Sequence, residues 1–118
     1  MYLGEENMKK YIVIYHAPDS WLKKMQSMSP EDHKKGMEPW MKWAKKCGAG
    51  LVDMGTPLEN AQMISSNGSA PSKSDVVGYS ILQAENIKKA VEMLKDHPHL
   101  TWAEGCKIEV HEQCLMPA

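Results

Sequence analysis

Two rhythms of apolar residues run along the chain. Residues 10–16 place Tyr11, Val13 and Tyr15 on one face of a strand and Ile12, Ile14 and His16 on the other. Neither face is polar, so both need covering, which predicts a strand in the middle of a sheet. Residues 75–83 have the same two-sided character and predict a second central strand. Residues 51–56 read as an edge strand, because Asp53 and Gly55 weaken one face. Residues 106–111 alternate strictly, apolar at Cys106, Ile108 and Val110, and give the last strand. Between them, residues 61–65 allow a short extra strand. Residues 66–74 read as a polar, turn-rich loop that stays mobile unless a partner orders it.

The helical rhythm begins at Asp19 and Ser20, which can cap a short helix with Trp21, Leu22, Met25 and Met28 on one stripe. A stronger start follows: Ser29 as cap, Pro30 at the first helical position, and Glu31 and Asp32 where the helix dipole favours acids. The long helix so opened carries Met37, Trp40, Met41, Ala44 and Cys47 at helical spacing and closes on Lys45, Lys46 and Gly48. Pro39 lies inside it and costs on the order of 3 kcal/mol in a regular interior, which predicts a kink or restart near Glu38, eased by Gly36. A further helix over residues 85–96 buries Ile87, Ala90, Val91 and Leu94, and His97-Pro98 stops it.

Strand, helix, strand, strand, helix, strand is the order of two βαβ units. It predicts an α+β, ferredoxin-like βαββαβ fold, with a four-stranded antiparallel sheet in the order 4-1-3-2 and both helices on one face. The two-sided strands fall in the centre of that order. The face away from the helices is then apolar and wet, and a homodimer closing two sheets face to face is the expected cover.

Composition narrows the classes. At 118 residues the chain is one ordinary domain able to bury a core without staples. A net charge of −1 with no Lys/Arg-dense face argues against a nucleic-acid partner. Membranes are not expected as a partner, since no apolar run nears the roughly 20 residues that span a bilayer. Residues 1–7 are short and acidic and read as a flexible extension before a second possible start at Met8, with the single domain over residues 8–118. Cys47, Cys106 and Cys114, an odd set in no metal-ligand spacing, fit a reducing cytoplasm. Ten methionines with no phenylalanine read as Met serving as core filler, ahead of a Met-lined adaptable groove.

Several stretches carry a resemblance. The opening residues 8–18, then Trp40-Met41-Lys42-Trp43-Ala44, residues 53–58, residues 75–81 and Ile108-Glu109-Val110 resemble the YCII-related (DGPF-domain) family over nearly the whole chain from Met8. The resemblance implies a dimeric α+β barrel built from ferredoxin-like protomers, a fold shared by many functions. It also implies an enzymatic role suspected from a histidine in the first long helix and an aspartate before the proline after the second helix. Here the first place, residues 37–43, holds no histidine, and the second holds His97. Ser72-Lys73-Ser74-Asp75 stands where an Asp-Gly-Pro-Phe sequence would.

Strand direction brings the chemistry together. The end of the first strand (His16), the start of the third (Asp75), the end of the second helix (His97-Pro98-His99) and Cys106 all fall at one rim of the sheet. One reading is a small-molecule enzyme with His16 or His99 as general acid/base and Asp75 as the orienting acid. Its pocket lies between sheet and helices, with His97, Trp40 and Tyr79 binding the ligand and Trp40 and Tyr79 forming the roof. The other is a non-catalytic dimeric module for a small apolar ligand, with the histidines as bystanders: His97 a cation at a helix C-terminus, His99 a surface loop residue, His16 bonded to a carbonyl, Asp75 an Asx turn. His33 and His111 read as solvated, and Trp40 with Trp43 as core and core edge. His16, His97, His99 and Cys106 are chemically suitable zinc ligands, but His-Pro-His spacing alone assigns no metal, and no cofactor is expected. Gly48-Ala49-Gly50 is too short a fragment for a nucleotide loop, and no nucleophile elbow or zinc-protease motif sharpens the class. The pocket discriminates: convergent polar groups favour the enzyme, an apolar interior the module.

Overall fold

The protein, a computed structural model, is described over residues 8–115, so the expected extension at residues 1–7 lies outside the described residues. The strands are β1 (Lys9–His16), β2 (Leu51–Asp53), β3 (Gln62–Ser65), β4 (Gly68–Pro71), β5 (Val76–Ala84) and β6 (Lys107–Glu112). The helices are α1 (Asp19–Ser27), α2 (Pro30–Cys47), α3 (Ile87–Leu94) and α4 (His99–Trp102), with one 3-10 turn at Gly48–Gly50. The fold is α+β. One antiparallel sheet runs β2-β5-β1-β6, and β3 with β4 form a separate two-stranded sheet. The two strands with apolar residues on both faces, β1 and β5, are the central ones, since only inner strands have a partner on each side. No barrel closes within the described residues.

Register decides which face of β1 is the core. Tyr11, Val13 and Tyr15 stand opposite Leu82, Ser80 and Gly78, and all three are at most 2% exposed under the helices. Ile12 and Ile14 stand opposite Ile81 and Tyr79 on the other face, where Ile12 is 44% exposed. Trp43 of α2 enters the same core with Leu82, Ala90 and Leu94, and its indole N–H donates to the Met93 carbonyl at 2.8 Å, tying α2 to α3. Placing aromatic and branched groups on one side removes their apolar area from water at about 25 cal/mol per Å².

Several expectations are corrected. Pro18, without a side-chain hydrogen bond, caps α1, and Asp19 is its first helical residue. Ser29 does cap α2, accepting from the Asp32 amide at 3.1 Å. The helix then runs unbroken past Pro39, so there is no restart. Met37 and Met41 are about half exposed, and Trp43 is the buried residue of that helix, because the sheet meets its Trp40-Trp43-Cys47 side. Residues 66–74 do not form a loop throughout: β4 pairs with β3 across a two-residue turn at Ser66 and Asn67, with Gly68 at φ 127°. Backbone pairing holds that hairpin, and its side chains are all exposed. The helix expected over 85–96 is shortened to α3, capped by Asn86 accepting from the Lys89 amide, and a second short helix, α4, begins at His99. Among the described residues no helix is long and apolar enough to cross a membrane.

Candidate functional site

His97 is carried inward where α3 ends. Its amide donates to the Leu94 carbonyl at 3.2 Å, Pro98 prevents the helix from continuing, and the side chain turns under the sheet, 1% exposed. Tyr15, Trp40 and Trp43 surround it, with ring centroids 4.9, 4.3 and 4.4 Å away. The expectation of a cation at a helix end is therefore corrected: burial first, and His99 nearby second, push the His97 pKa down to about 3. The tryptophans box a residue of their own chain.

The hydrogen bonds around His97 have only one consistent direction. The His99 backbone N–H donates to His97 Nδ1 at 3.0 Å, so that nitrogen carries no proton. Nε2–H then donates to Tyr15 Oη at 3.1 Å, and Tyr15 O–H to Ser80 Oγ at 2.7 Å. Ser80 O–H completes the chain on the Met54 carbonyl at 2.7 Å. Every member is satisfied, which is what makes a buried polar chain tolerable. Burial raises the Tyr15 pKa to about 12, so its hydroxyl stays protonated and the direction holds at neutral pH. The chain runs from α4 through the core to the segment after β2.

His99 is buried as well, at 3% exposure, rather than a surface loop residue. Its Nε2 lies 2.8 Å from the His16 carbonyl and must be the protonated nitrogen. Burial lowers its pKa, so the ring is neutral at pH 7 and Nδ1 keeps its lone pair.

A cavity of about 110 Å³ opens beside this ring. Its lining includes Tyr15, Trp40 and His99 together with Met54, Gly55 and Val77. Tyr79 also contributes to the lining, although its register opposite Ile14 assigns its ring to the far face of the sheet. Gly55 is required here. It has φ 77°, and a Cβ on it would fall 1.7 Å from the Tyr79 carbonyl oxygen. A second hollow of about 220 Å³ shares Trp21, Met37, Trp40, Pro57 and His99 and extends to Met25, Met28 and Trp102. Among the described residues Trp102 Nε1 is buried and has no hydrogen-bond partner.

His16 and Asp75 belong to another environment. His16 Nδ1 lies 2.6 Å from Asp75 Oδ1 and Nε2 2.8 Å from Glu109 Oε1, so both nitrogens donate and the ring is an imidazolium. The Asp75 bond first, and Glu109 after it, raise the His16 pKa; the same bonds lower both carboxylates. The second Glu109 oxygen meets His111 Nε2 at 3.2 Å. His16 and His99 thus share one end of β1, joined through the His16 carbonyl, while their side chains serve different surroundings. His99 and Trp40 line the cavity; His97 supports it from within; His16 and Asp75 form an ionic clamp with Glu109.

Cys106 is buried, and among the described residues no group of three or more His, Cys, Asp or Glu side chains is placed to hold a metal ion. Sequence reasoning misses Tyr15, Ser80, Met54 and Glu109 as members of these networks. A signal exists for two of them: a buried tyrosine hydroxyl needs a partner, and Ser80 is the polar residue on the otherwise apolar core face of β5. Compared with known protein families and with curated proteins, the chain matches none.

Proposed function

We propose that the protein is a small-ligand-binding module whose cavity takes a largely apolar molecule against His99. One observation carries this reading: the polar side chains beneath the cavity, Tyr15, Ser80 and His97, are already satisfied by one another, so its lining is largely apolar and His99 Nδ1 is left as an acceptor with no partner among the described residues. Ligand binding then draws on apolar burial, with one hydrogen bond for orientation. A thermal-shift screen of small aromatic and aliphatic compounds tests it. Stabilisation by at least one compound, lost on Met37→Trp, is expected, because Met37 stands at both hollows, is 48% exposed and tolerates a larger ring without disturbing the core. No stabilisation by any compound at millimolar concentration would reject the reading.

The fixed tautomer of His99 favours a second reading, general-base catalysis by Nδ1 on the bound molecule, since an oriented neutral imidazole is the form a base requires. Loss of turnover without loss of binding in His99→Ala would distinguish it from the module. His16 fits that role less well, both its nitrogens being spent on carboxylates.

The protomer is also proposed as ferredoxin-like and YCII-related, with a second copy closing the Ile12, Ile14, Tyr79 and Ile81 face into a dimeric α+β barrel. Apolar side chains in register on that face support the pairing. Light scattering at micromolar concentration is expected to give twice the protomer mass, and Ile14→Asp to give a monomer; a monomeric native protein would reject it.

A further inference from the structure

Resting on the ligand-binding reading of the cavity, we propose that its ligand is an uncharged molecule with one aromatic ring and a hydroxyl group, a neutral phenol or aryl alcohol, which donates its hydroxyl proton to His99 Nδ1. Three features select this class. The first is size. An apolar cavity of about 150 Å³ admits benzene, and one of about 110 Å³ that adjoins a second hollow takes a single ring with a short substituent.

The second feature is charge. Among the described residues, neither hollow is lined by Lys, Arg, Asp or Glu. A carboxylate or ammonium placed beside His99 would give up its hydration with no Lys, Arg, Asp or Glu to replace it, and His33 lines only the second hollow, so the ionic forms are rejected from the first and the neutral ones admitted. The nearest ionic cluster, His16 with Asp75 and Glu109, is already internally paired. The walls themselves suit a ring: Tyr15 and Trp40 meet edge to face at 5.1 Å, and Met37 and Met54 supply polarisable thioethers that pack well on aromatic groups.

The third feature is hydrogen-bond polarity. His99 Nε2–H is committed to the His16 carbonyl, which leaves Nδ1 an acceptor. A ligand group that only accepts, such as an ether, cannot pair with Nδ1 and is left with Trp102 Nε1–H in the adjoining hollow, whereas a hydroxyl can donate to Nδ1 itself. Toluene matches phenol in shape but lacks the donor. Anisole keeps the oxygen but only accepts, and benzoate carries the charge.

Calorimetric titration of the unmodified protein at pH 7 with phenol, toluene, anisole and benzoate tests the proposal without relying on any variant. Phenol is expected to bind at least about tenfold more tightly than each of the other three, the worth of one matched hydrogen bond or one avoided buried charge. His99→Phe, where it folds, is expected to abolish the preference of phenol over toluene. If benzoate, toluene or anisole binds as tightly as phenol, the ligand class is wrong while the cavity still binds small molecules. If none of the four binds, and the wider thermal-shift screen is also empty, both the class and the ligand-binding reading fall.

Discussion

Between pH 6 and pH 4 the protein is expected to lose about 1 kcal/mol of stability per pH unit through His97 alone. The sign follows from the direction of the shift. The unfolded histidine binds a proton near its ordinary pKa of 6.5, while the folded one resists protonation down to about 3. Across that window the unfolded state holds more protons, so stability is full above it and falls as the pH falls. The cause is physical and local: His97 is 1% exposed inside three aromatic rings, and its unprotonated nitrogen already accepts the His99 amide. A proton arriving there would bury a charge and break that bond. Burial of His99 acts in the same direction. Of the His16 clamp only the carboxylates share this sign: the lowered pKa values of Asp75 and Glu109 make their contribution fade at the acid end of the window, whereas His16 itself acts oppositely. Its raised pKa makes its contribution fully present below 6.5 and lost as pH rises through the folded value. Urea midpoints of native protein and His97→Gln from pH 7 to pH 4 provide the measurement. The variant is expected to be less stable at pH 7, by about 1–3 kcal/mol for the groups it leaves unpaired, and to show a shallower slope. Parallel slopes would mean that His97 is not the acid-sensitive group.

Replacing Gly55 with alanine is expected to cost about 3 kcal/mol or more, a large share of the stability of a domain this size. Two penalties combine. The backbone is in the left-handed region at φ 77°, and the new Cβ would overlap the Tyr79 carbonyl oxygen at 1.7 Å and its carbon at 2.6 Å. Those atoms belong to the backbone of central strand β5, bonded on both sides, so relief requires the segment after β2 to lift away. Gly48→Ala is the matched control. It too has positive φ, 55°, with ψ −126°, but among the described residues nothing lies within 4 Å of its Cβ, so about 1–3 kcal/mol is expected from the backbone alone. Thermal or urea unfolding compares the two. Equal losses would show that the close approach of Gly55 to β5 is absent in solution. Because Gly55 also walls the cavity, any Gly55→Ala protein that survives is expected to bind ligand more weakly.

Local pattern and tertiary placement contributed different things to this protein. The two-sided apolar runs of β1 and β5, the Ser29-Pro30 start of α2, the glycine at its end and a helix that ends ahead of His97-Pro98, at Leu94, are legible in sequence to within a few residues. Periodicity, caps and prolines act over a few residues, so the composition of those residues carries them. The β3–β4 hairpin escaped because Gly68-Ser69-Ala70-Pro71 has little strand preference of its own; pairing with Gln62–Ser65 makes it a strand. Strand direction likewise brought His16, Asp75, His97 and His99 toward one end, but direction does not say which side of the sheet a ring faces. One residue of register sends Tyr15 into the core and His16 to the other face, which is why a candidate cluster divided into a carboxylate clamp and a buried relay. Protonation was beyond sequence altogether. As free side chains His16, His97 and His99 would titrate alike, and only burial and the identity of each hydrogen-bond partner raise the first and lower the other two.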